Sequence, residues 1–371
     1  MIYDIAVLGL GPSGSSFLKR IEGKGFKIIA FDKDNFPRKK VCAGGLTPKA
    51  YRLLEKLFPG IDEVVRVQSK KFVFINNSLK VEVNFNETLT YLTDRQELDN
   101  FLFDSISNSY FEIHTGEKVL SLCKENKIWK IETDKDIYKA KVIIVADGVN
   151  SKVARQFKVK RDIGFTYEAD IEHSWNDTIL IDFSNFSWGY YWIFPKGDFI
   201  TTGLGELKRK AFDLKEKLFR FNRKFGIEGK IKHQSGFPIP VGKTRNDVYR
   251  NNVLFLGDAG GLVDPFTGEG IYYAVKSGVI SAEIVMKAFE KGNLDILKLY
   301  KELIDESMGK EFFWARTVGN LFFRFKRLNF YVLEKEPSIQ KLTTSLLTGE
   351  ISYKQGVKKF FKLLPKLLVR S

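Results

Sequence analysis

Two cysteines, three histidines and no long apolar run narrow the possibilities for this 371-residue chain at once. Cys42 and Cys123 are too few for a disulfide framework and suit a reducing compartment. His114, His173 and His233 lie far apart and lack metal-site spacing. No stretch of about 18 apolar residues occurs, so no helix is expected to span a bilayer. The opening Met1-Ile2-Tyr3-Asp4 lacks the basic lead of a signal peptide and reads as a strand. Internal repeats and low-complexity linkers are missing too. Acid is the scarcer charge: 60 Lys and Arg against 45 Asp and Glu leave a net +15. That excess suits an anionic partner such as phosphate or a membrane surface. Nucleic acid is not expected, because no recognition motif is present.

Aromatic residues are plentiful. Phe occurs 33 times, which suggests an apolar ligand pocket or a lipid-facing surface beyond the core. Apolar residues make up 44% and charged residues 28%, an ordinary globular balance. The length calls for two domains, or one with a large insertion.

The N-terminal order is strand, turn, helix, strand. Ile5 to Leu8 is an apolar run, Gly9 to Gly14 a turn, Ser15 to Ile21 a helix and Lys27 to Phe31 a strand. That is a βαβ start and implies a parallel sheet. Thr47 reads as the N-cap of a helix to Leu57, with Pro48 in its first turn. Val64 to Phe85 alternates, with Asn76-Asn77 at a hairpin turn. A helix over Asp94 to Ser107 and four strands follow, the last ending at Val142 to Val145. From Gly164 to Phe237 the period is mostly two, with one helix over Lys208 to Phe225. Val253 to Leu256 restores a buried strand, and helices run from Gly268 onward. The expected class is α/β: a discontinuous Rossmann-like domain with an inserted antiparallel sheet and a helical C-terminal region. The expected boundaries are 1–62, 91–160 and 248–292 for the first domain, 63–90 and 161–247 for the sheet domain, and 293–371 for the helices.

Gly9-Leu10-Gly11-Pro12-Ser13-Gly14 matches G-x-G-x-x-G. The first glycine makes the tight turn, the second admits a pyrophosphate, and the third lets helix and strand pack closely. The helix N-terminus offers free N–H groups to phosphate. Asp32 ends the next strand, eighteen residues after Gly14, placed to accept from a ribose hydroxyl. Further glycine-bearing segments follow buried strands: Ala146-Asp147-Gly148-Val149-Asn150-Ser151, then Gly257-Asp258-Ala259-Gly260 leading to Pro265-Phe266-Thr267-Gly268-Glu269-Gly270.

In this order the three segments resemble the FAD-dependent monooxygenase and reductase superfamily of the aromatic-hydroxylase type. The resemblance covers about the first 290 residues and implies FAD as cofactor. It implies that Asp258 takes the ribityl chain, that Gly268 and Gly270 lie against the flavin ring, and that Arg95 helps bind the phosphate and ribityl portion. Lys33, Asp147, Gly148, Gly257, Pro265, Glu269 and Ile271 belong to the same implied cofactor-binding set. A helix N-terminus at Gly268 would stabilise negative charge on a reduced flavin.

A narrower pattern lies in the inserted sheet. Tyr190-Tyr191-Trp192-Ile193-Phe194-Pro195 is followed, after seven residues, by Gly203-Leu204-Gly205. This is similar to the Y-x-W-x-F-P-x(7–8)-G-x-G pattern of the geranylgeranyl reductase family. Tyr190, Trp192 and Phe194 share one strand face, an aromatic wall suited to an isoprenoid chain, or ordinary core. By resemblance they bind substrate together with Pro195, Gly203 and Gly205. Cys42-Ala43-Gly44-Gly45 partly matches that family's P-x-x-C-G-G-G-type loop near the flavin. Pro37 is five residues before Cys42 rather than three, and Ala43 replaces a glycine. Cys42 is therefore either a thiol at the flavin face, with Lys39 and Lys40 favouring thiolate, or a small filler beside a turn. Cys123 reads as structural.

The resemblance implies an enzyme that saturates double bonds of geranylgeranyl chains on lipids or prenyl diphosphates, by hydride transfer from reduced FAD. An isolated alkene is a poor hydride acceptor, so a proton donor is needed. Cys42, Tyr190 and an ordered water all stay open for that role. With no second G-x-G-x-x-G, electrons are expected from NAD(P)H, ferredoxin or another small reductant. The alternative is an FAD monooxygenase or halogenase-like enzyme acting on an aromatic or polyketide substrate. Halogenases carry W-x-W-x-I-P, and Trp188 to Pro195 does not have that spacing. A third reading is a flavin-bound lipid carrier. Beside longer members of the resembled family the chain is short at its C-terminal end, so part of the substrate cover is expected to differ. Phe312-Phe313-Trp314 and Phe322-Phe323-Arg324-Phe325 either cap the pocket or pack between helices. Tyr353 to Arg370 is a basic amphipathic tail without acid, suited either to an anionic membrane or to docking on the protein. The expected location is the cytoplasm, with peripheral contact at the inner face of a membrane left open.

Overall fold

The computed structural model describes residues 1–106, 109–207 and 213–369. The chain opens with β1 (Tyr3–Leu8), α1 (Pro12–Ile21) and β2 (Ile28–Phe31). Both strands are almost wholly buried, which explains their unbroken apolar runs. Then come β3 (Gly45–Leu46), α2 (Pro48–Leu57), β4 (Val65–Ser69), β5 (Lys71–Asn76), β6 (Leu79–Asn84), β7 (Thr90–Thr93) and α3 (Arg95–Asp104). Thr47 caps α2 by accepting from Ala50 N, and Asp94 caps α3 by accepting from Gln96 N. Ser107, the expected end of α3, lies outside the described residues. Four strands follow: β8 (Glu112–His114), β9 (Val119–Glu125), β10 (Ile128–Thr133) and β11 (Ile137–Val145). After α4 (Lys152–Gln156) come β12 (Asp162–Ile171), β13 (Ile179–Asp182), β14 (Gly189–Pro195), β15 (Ile200–Glu206) and α5 (Leu214–Lys224). The chain continues with β16 (Ile231–Val241), β17 (Tyr249–Arg250), β18 (Val253–Phe255) and α6 (Ile271–Glu290). It ends with α7 (Leu299–Ile304), α8 (Lys310–Arg324), α9 (Lys326–Lys335), α10 (Pro337–Leu347) and α11 (Tyr353–Val369). The start expected for α5, 208–212, and Arg370 of the tail lie outside the described residues.

The first sheet has the order β17-β18-β11-β1-β2-β8, with β9 and β10 attached beside β11. Its centre, from β18 to β8, is parallel. The chain leaves β1 toward β2 on one side and later returns through β11 on the other. That reversal opens a crevice beyond the carboxyl ends of the strands. Gly9 turns there with φ +99°, and a Cβ on it would lie 2.4 Å from the Ala146 carbonyl oxygen. Only glycine fits so tight an approach.

The second sheet has the order β16-β12-β15-β14-β13-β5-β6. It is antiparallel except at one seam, where β13 runs parallel to β5. An all-antiparallel sheet was expected. The two strands are far apart in the chain and meet without a hairpin, so nothing forces them to oppose. The alternating segment from Val64 also divides: β4 pairs with β7 in a small third sheet with β3, and β5 and β6 join the large sheet. The β5–β6 turn falls one residue later than expected, at Asn77, which has φ 57°.

Strand alternation sorts β14 cleanly. Tyr191 and Ile193 face α5 and pack with Leu218 and Phe221. Tyr190, Trp192 and Phe194 face the other way, in a cluster reaching Phe330 of α9 and Leu342 of α10. Gly203, across from Trp192 on β15, provides the gap the indole occupies. A Cβ on Gly203 would lie 2.2 Å from Trp192 Cζ2. Gly203→Ala is therefore expected to lower unfolding stability by about 1–3 kcal/mol, the range for overpacking. It should also shift tryptophan emission. Unchanged denaturant unfolding and emission would show that the ring does not need the gap.

Candidate active site

A cavity of ≈ 740 Å³ is lined from both sheets and by the C-terminal helices. That volume suits a small-molecule site. Its polar arm gathers Gly9, Gly11, Pro12, Ser13, Asp32, Lys33, Asp147 and Gly148. Gly14 is not among the lining residues. A Cβ there would sit 1.9 Å from the Gly9 carbonyl oxygen, so Gly14 serves the packing of α1 on the turn. Leu10 N donates to Asp32 Oδ2 at 2.8 Å and Asp34 N to Oδ1 at 3.0 Å. Lys33 is exposed at the rim and pairs with Asp34. The N-terminus of α1 has no side-chain cap, so its first N–H groups stay open toward the cavity.

Arg38 stands over this arm, 3.8 Å from Asp32 Oδ2 and 3.3 Å from Asp99 Oδ2. Among the described residues, chain neighbours aside, its guanidinium is also the one group within 4 Å of where a Gly11 Cβ would be. Arg38 Nε and Asp147 Oδ1 are buried without a hydrogen-bond partner. Burial raises the Asp147 carboxyl to about 6. An uncapped helix end, an orphaned arginine nitrogen and an open glycine fit the diphosphate of a dinucleotide.

Farther along, Asp258, Pro265, Gly268, Glu269, Gly270 and Ile271 line the cavity. Gly257 does not. A Cβ there would be 3.2 Å from Ser13 Oγ and from Ala274 Cβ, so it serves close packing of α6. Helix α6 starts at Ile271 rather than Gly268, again without a side-chain cap. Glu269 is occupied: Lys49 approaches it at 2.7 Å and the Thr47 hydroxyl donates to it. It clasps this loop to the start of α2. Asp264 holds the loop from within, accepting from Phe266 N at 2.8 Å and Thr267 N at 2.9 Å. Tyr353 of α11 also donates to Asp264, at 3.3 Å.

Cys42, Ala43, Gly44, Gly45 and Arg95 meet where the polar arm joins the apolar one. Gly44 N donates to Cys42 Sγ at 3.5 Å. Arg95 forks onto Asp99 at 2.9 and 3.0 Å and also faces the Cys42 sulfur. Its donors are thus largely committed within the protein, whereas Arg38 Nε has no hydrogen-bond partner. Lys39 is exposed, and Lys40 lies 3.7 Å from the centroid of the Phe237 ring. A further cation near the sulfur is the buried Lys196. It donates to the Ala43 carbonyl at 2.5 Å and the Thr93 carbonyl at 2.7 Å. Burial lowers its ammonium to about 8. Glu168 is buried beside this junction, and burial, with Asp170 adding to it, raises its carboxyl to about 8. Cys123 is exposed on β9, so it packs nothing in the core.

The apolar arm is one face of the second sheet: Phe72, Phe74, Ile181, Tyr190, Trp192 and Phe194. Gly205 lines it, whereas Gly203 lies under Trp192 and Pro195 points to the opposite face. The Tyr190 hydroxyl donates to the Thr267 carbonyl, so its proton is committed. Phe322 and Phe323 pack behind lining residues, against Phe183, Trp188 and Phe266. Phe312 is core, and Phe313 and Phe325 are exposed. From the C-terminal region, Leu346, Leu347 and Tyr353 reach the cavity itself.

No family model matches the chain. An uncharacterised protein of Methanosarcina barkeri is 30% identical over 99% of this chain and 95% of its own. The digeranylgeranylglycerophospholipid reductase of Methanocaldococcus jannaschii is 26% identical over 99% of this chain and 97% of its own. The chain belongs to the geranylgeranyl reductase family of flavin oxidoreductases. The crystal structure of a geranylgeranyl bacteriochlorophyll reductase-like protein from Thermoplasma acidophilum has a TM-score of 0.83 at 22% identity, covering 98% of this chain and 99% of that one. The flavin-dependent brominase Bmp2 has the same fold, with a TM-score of 0.75 at 16% identity over 98% of this chain and all of the other. The likeness thus extends past residue 290, through the C-terminal helices.

Several cavity residues of this geranylgeranyl reductase family member escaped the sequence reading, namely Arg38, Lys49, Glu168 and Tyr353, as did Lys196 behind the Cys42 loop. For Lys196 a signal existed, since the alternation of Tyr190, Trp192 and Phe194 continues onto it. Glu168 lies in an alternating strand whose face the sequence alone does not reveal. Lys196→Met should leave the Ala43 and Thr93 carbonyls unpaired and cost about 1–3 kcal/mol. It should also quicken Cys42 modification by a thiol reagent. Wild-type stability and wild-type thiol reactivity together would refute the anchoring role.

Proposed function

We propose that this enzyme holds FAD along the polar arm and saturates double bonds of a geranylgeranyl chain lying in the apolar arm. The cofactor would rest on residues 1–62, 91–160 and 248–292, and the prenyl chain on 63–90 and 161–247. The observation that carries this reading is that one cavity joins a dinucleotide cradle to an aromatic sheet face. The name of the Methanocaldococcus relative supports a prenyl group on a glycerophospholipid. A prenyl diphosphate would bring the same chain.

When bound and reduced, FAD supplies the hydride. Arg38 and the open N-terminus of α1 would hold its diphosphate, and the N-terminus of α6 would face the ring. Phe72, Phe74 and Trp192 exclude water from the chain and offer π faces to developing positive charge on a substituted alkene carbon. Cys42 sits at the border between cofactor and substrate, held by Gly44 N and Arg95, and orients the reacting end. The electron donor would be NAD(P)H, ferredoxin or another small reductant. The brominase's fold keeps an oxygen-activating enzyme as the second reading.

The two readings separate without oxygen. Chemically reduced holoenzyme mixed anaerobically with a geranylgeranyl lipid should reoxidise, and the product should gain two hydrogens per double bond by mass spectrometry. Reoxidation that waits for oxygen, with a substrate-stimulated peroxyflavin, would favour the monooxygenase. Gly11→Val should fold yet lose FAD, because among the described residues only the flexible end of Arg38 approaches the new Cβ. A fully yellow variant would remove Gly11 from the diphosphate site. Trp192→Ala should keep FAD and lose prenyl turnover; unchanged turnover would return Trp192 to the core.

Peripheral membrane contact is part of this reading. Among the described residues no helix is long and apolar enough to cross a membrane. Leu321, Phe325, Leu328 and Tyr331 are exposed along α8 and α9, beside exposed Arg324 and Arg327. On α11, exposed Phe361 adjoins Lys358 and Lys359. Apolar residues edged by cations suit an anionic lipid surface. A Phe325→Ser, Leu328→Ser variant should co-sediment less with anionic vesicles, while soluble-substrate turnover holds. Equal co-sedimentation would place the contact elsewhere.

A further inference from the structure

The proposed reduction needs a proton as well as a hydride, and the cavity holds one buried carboxyl suited to give it. Glu168 lies in the middle of β12, paired with Gly203 of β15 and Ser235 of β16. Trp192 pairs with Gly203 from the other side. Cross-strand partners point to the same face, so Glu168 and Trp192 flank a residue with no side chain. The indole lies over that gap and extends the aromatic wall toward the carboxyl. Both residues line the cavity, and Glu168 is 6% exposed.

Asp147, whose Oδ1 has no partner, lies in the polar arm, away from the aromatic wall, and the groups nearer that wall are spoken for. Tyr190 donates to Thr267 O, Glu269 accepts from Lys49, and Glu206 pairs with Lys217. Asp170 accepts from Thr201, and the Cys42 sulfur accepts from Gly44 N. Among the described residues, no side chain hydrogen-bonds or ion-pairs with Glu168, and the backbone N–H of Cys42 is turned toward it. The charged and titratable groups facing it are Asp170 on its own strand, Lys196 after β14, Arg95 on α3 and Cys42 in the loop before β3.

We propose that Glu168 is the catalytic acid that protonates the alkene, an assignment that rests on the reductase reading above. Glu168 gives its O–H proton to one carbon of the double bond, bonded there by the π electron pair. The other carbon takes the hydride that reduced FAD supplies. FAD is left oxidised, and the Glu168 carboxylate regains a proton from water. Trp192 lies beside the carbon that bears positive charge between the two events. The buried carboxyl, raised to about 8, is in its protonated form at neutral pH. Turnover should therefore hold below pH 8 and fall as pH rises through that value.

The test uses holoenzyme in the anaerobic reoxidation assay with a geranylgeranyl lipid. Glu168→Gln should slow reoxidation about 10²–10⁴-fold, the usual range for a lost general acid. FAD content and prenyl-lipid affinity should stay unchanged, and Glu168→Asp should recover part of the rate. Infrared difference spectra of protein carrying ¹³C-labelled glutamate should show a protonated carboxyl at pH 7. That band should vanish as pH rises through 8 and be missing from Glu168→Gln. Wild-type turnover with Glu168→Gln equally fast, or a wild-type spectrum without the band, overturns the assignment alone. No prenyl turnover by the wild type overturns the reductase reading, and this assignment with it.

Discussion

A buried ammonium fastens the two halves of this enzyme. Lys196 extends from the end of the aromatic strand and donates to two backbone carbonyls, Ala43 in the glycine-rich loop and Thr93 ahead of α3. Burying a charge is costly unless hydrogen bonds replace the lost water. The two short contacts do so, and the ammonium, though lowered to about 8, stays charged at neutral pH. Because the loop is pinned there, Cys42 lies between Arg95 and Glu168, and the polar arm opens directly onto the aromatic wall.

The two arms differ in what they bury. The polar arm holds unpaired donors and acceptors, Arg38 Nε and Asp147 Oδ1. Such groups cost stability in the protein alone and are repaid when a polar ligand meets them. The apolar arm holds rings positioned by the sheet on one side and by α9 and α10 on the other. Trp192 needs Gly203 beneath it, so this glycine seats a ring that lines the cavity. Tyr190 and Tyr353 spend their hydroxyls on the loop that leads to α6. The C-terminal helices thereby shape both the apolar arm of the cavity and the loop that leads to α6.

Much of this was legible in the order of residues. The strand–turn–helix of Gly9 to Gly14, the Thr47 cap and the alternation of Tyr190, Trp192 and Phe194 each depend on near neighbours. Local rules suffice for them. The parallel seam between β13 and β5, the transfer of β4 to a third sheet and the burial of Glu168 were not legible. Each depends on which distant strand comes alongside, and period-two alternation is the same whichever partner arrives. The matched motifs also merged two roles: Gly14, Gly203 and Gly257 are there for packing, and Gly11 for open space.

By itself the sequence determined the kind of fold, the glycine cradle and the aromatic stripe, because steric limits and strand alternation act over a few residues. Tertiary structure alone decided which groups face one another. It set Lys196 under the Cys42 loop, Arg38 over Gly11 and Glu168 beside Trp192. It also decided which of them are buried deeply enough for desolvation to change their protonation. Desolvation acts through space, and the neighbours in space come from different elements of the chain, in the case of Ala43 and Lys196 more than a hundred residues apart.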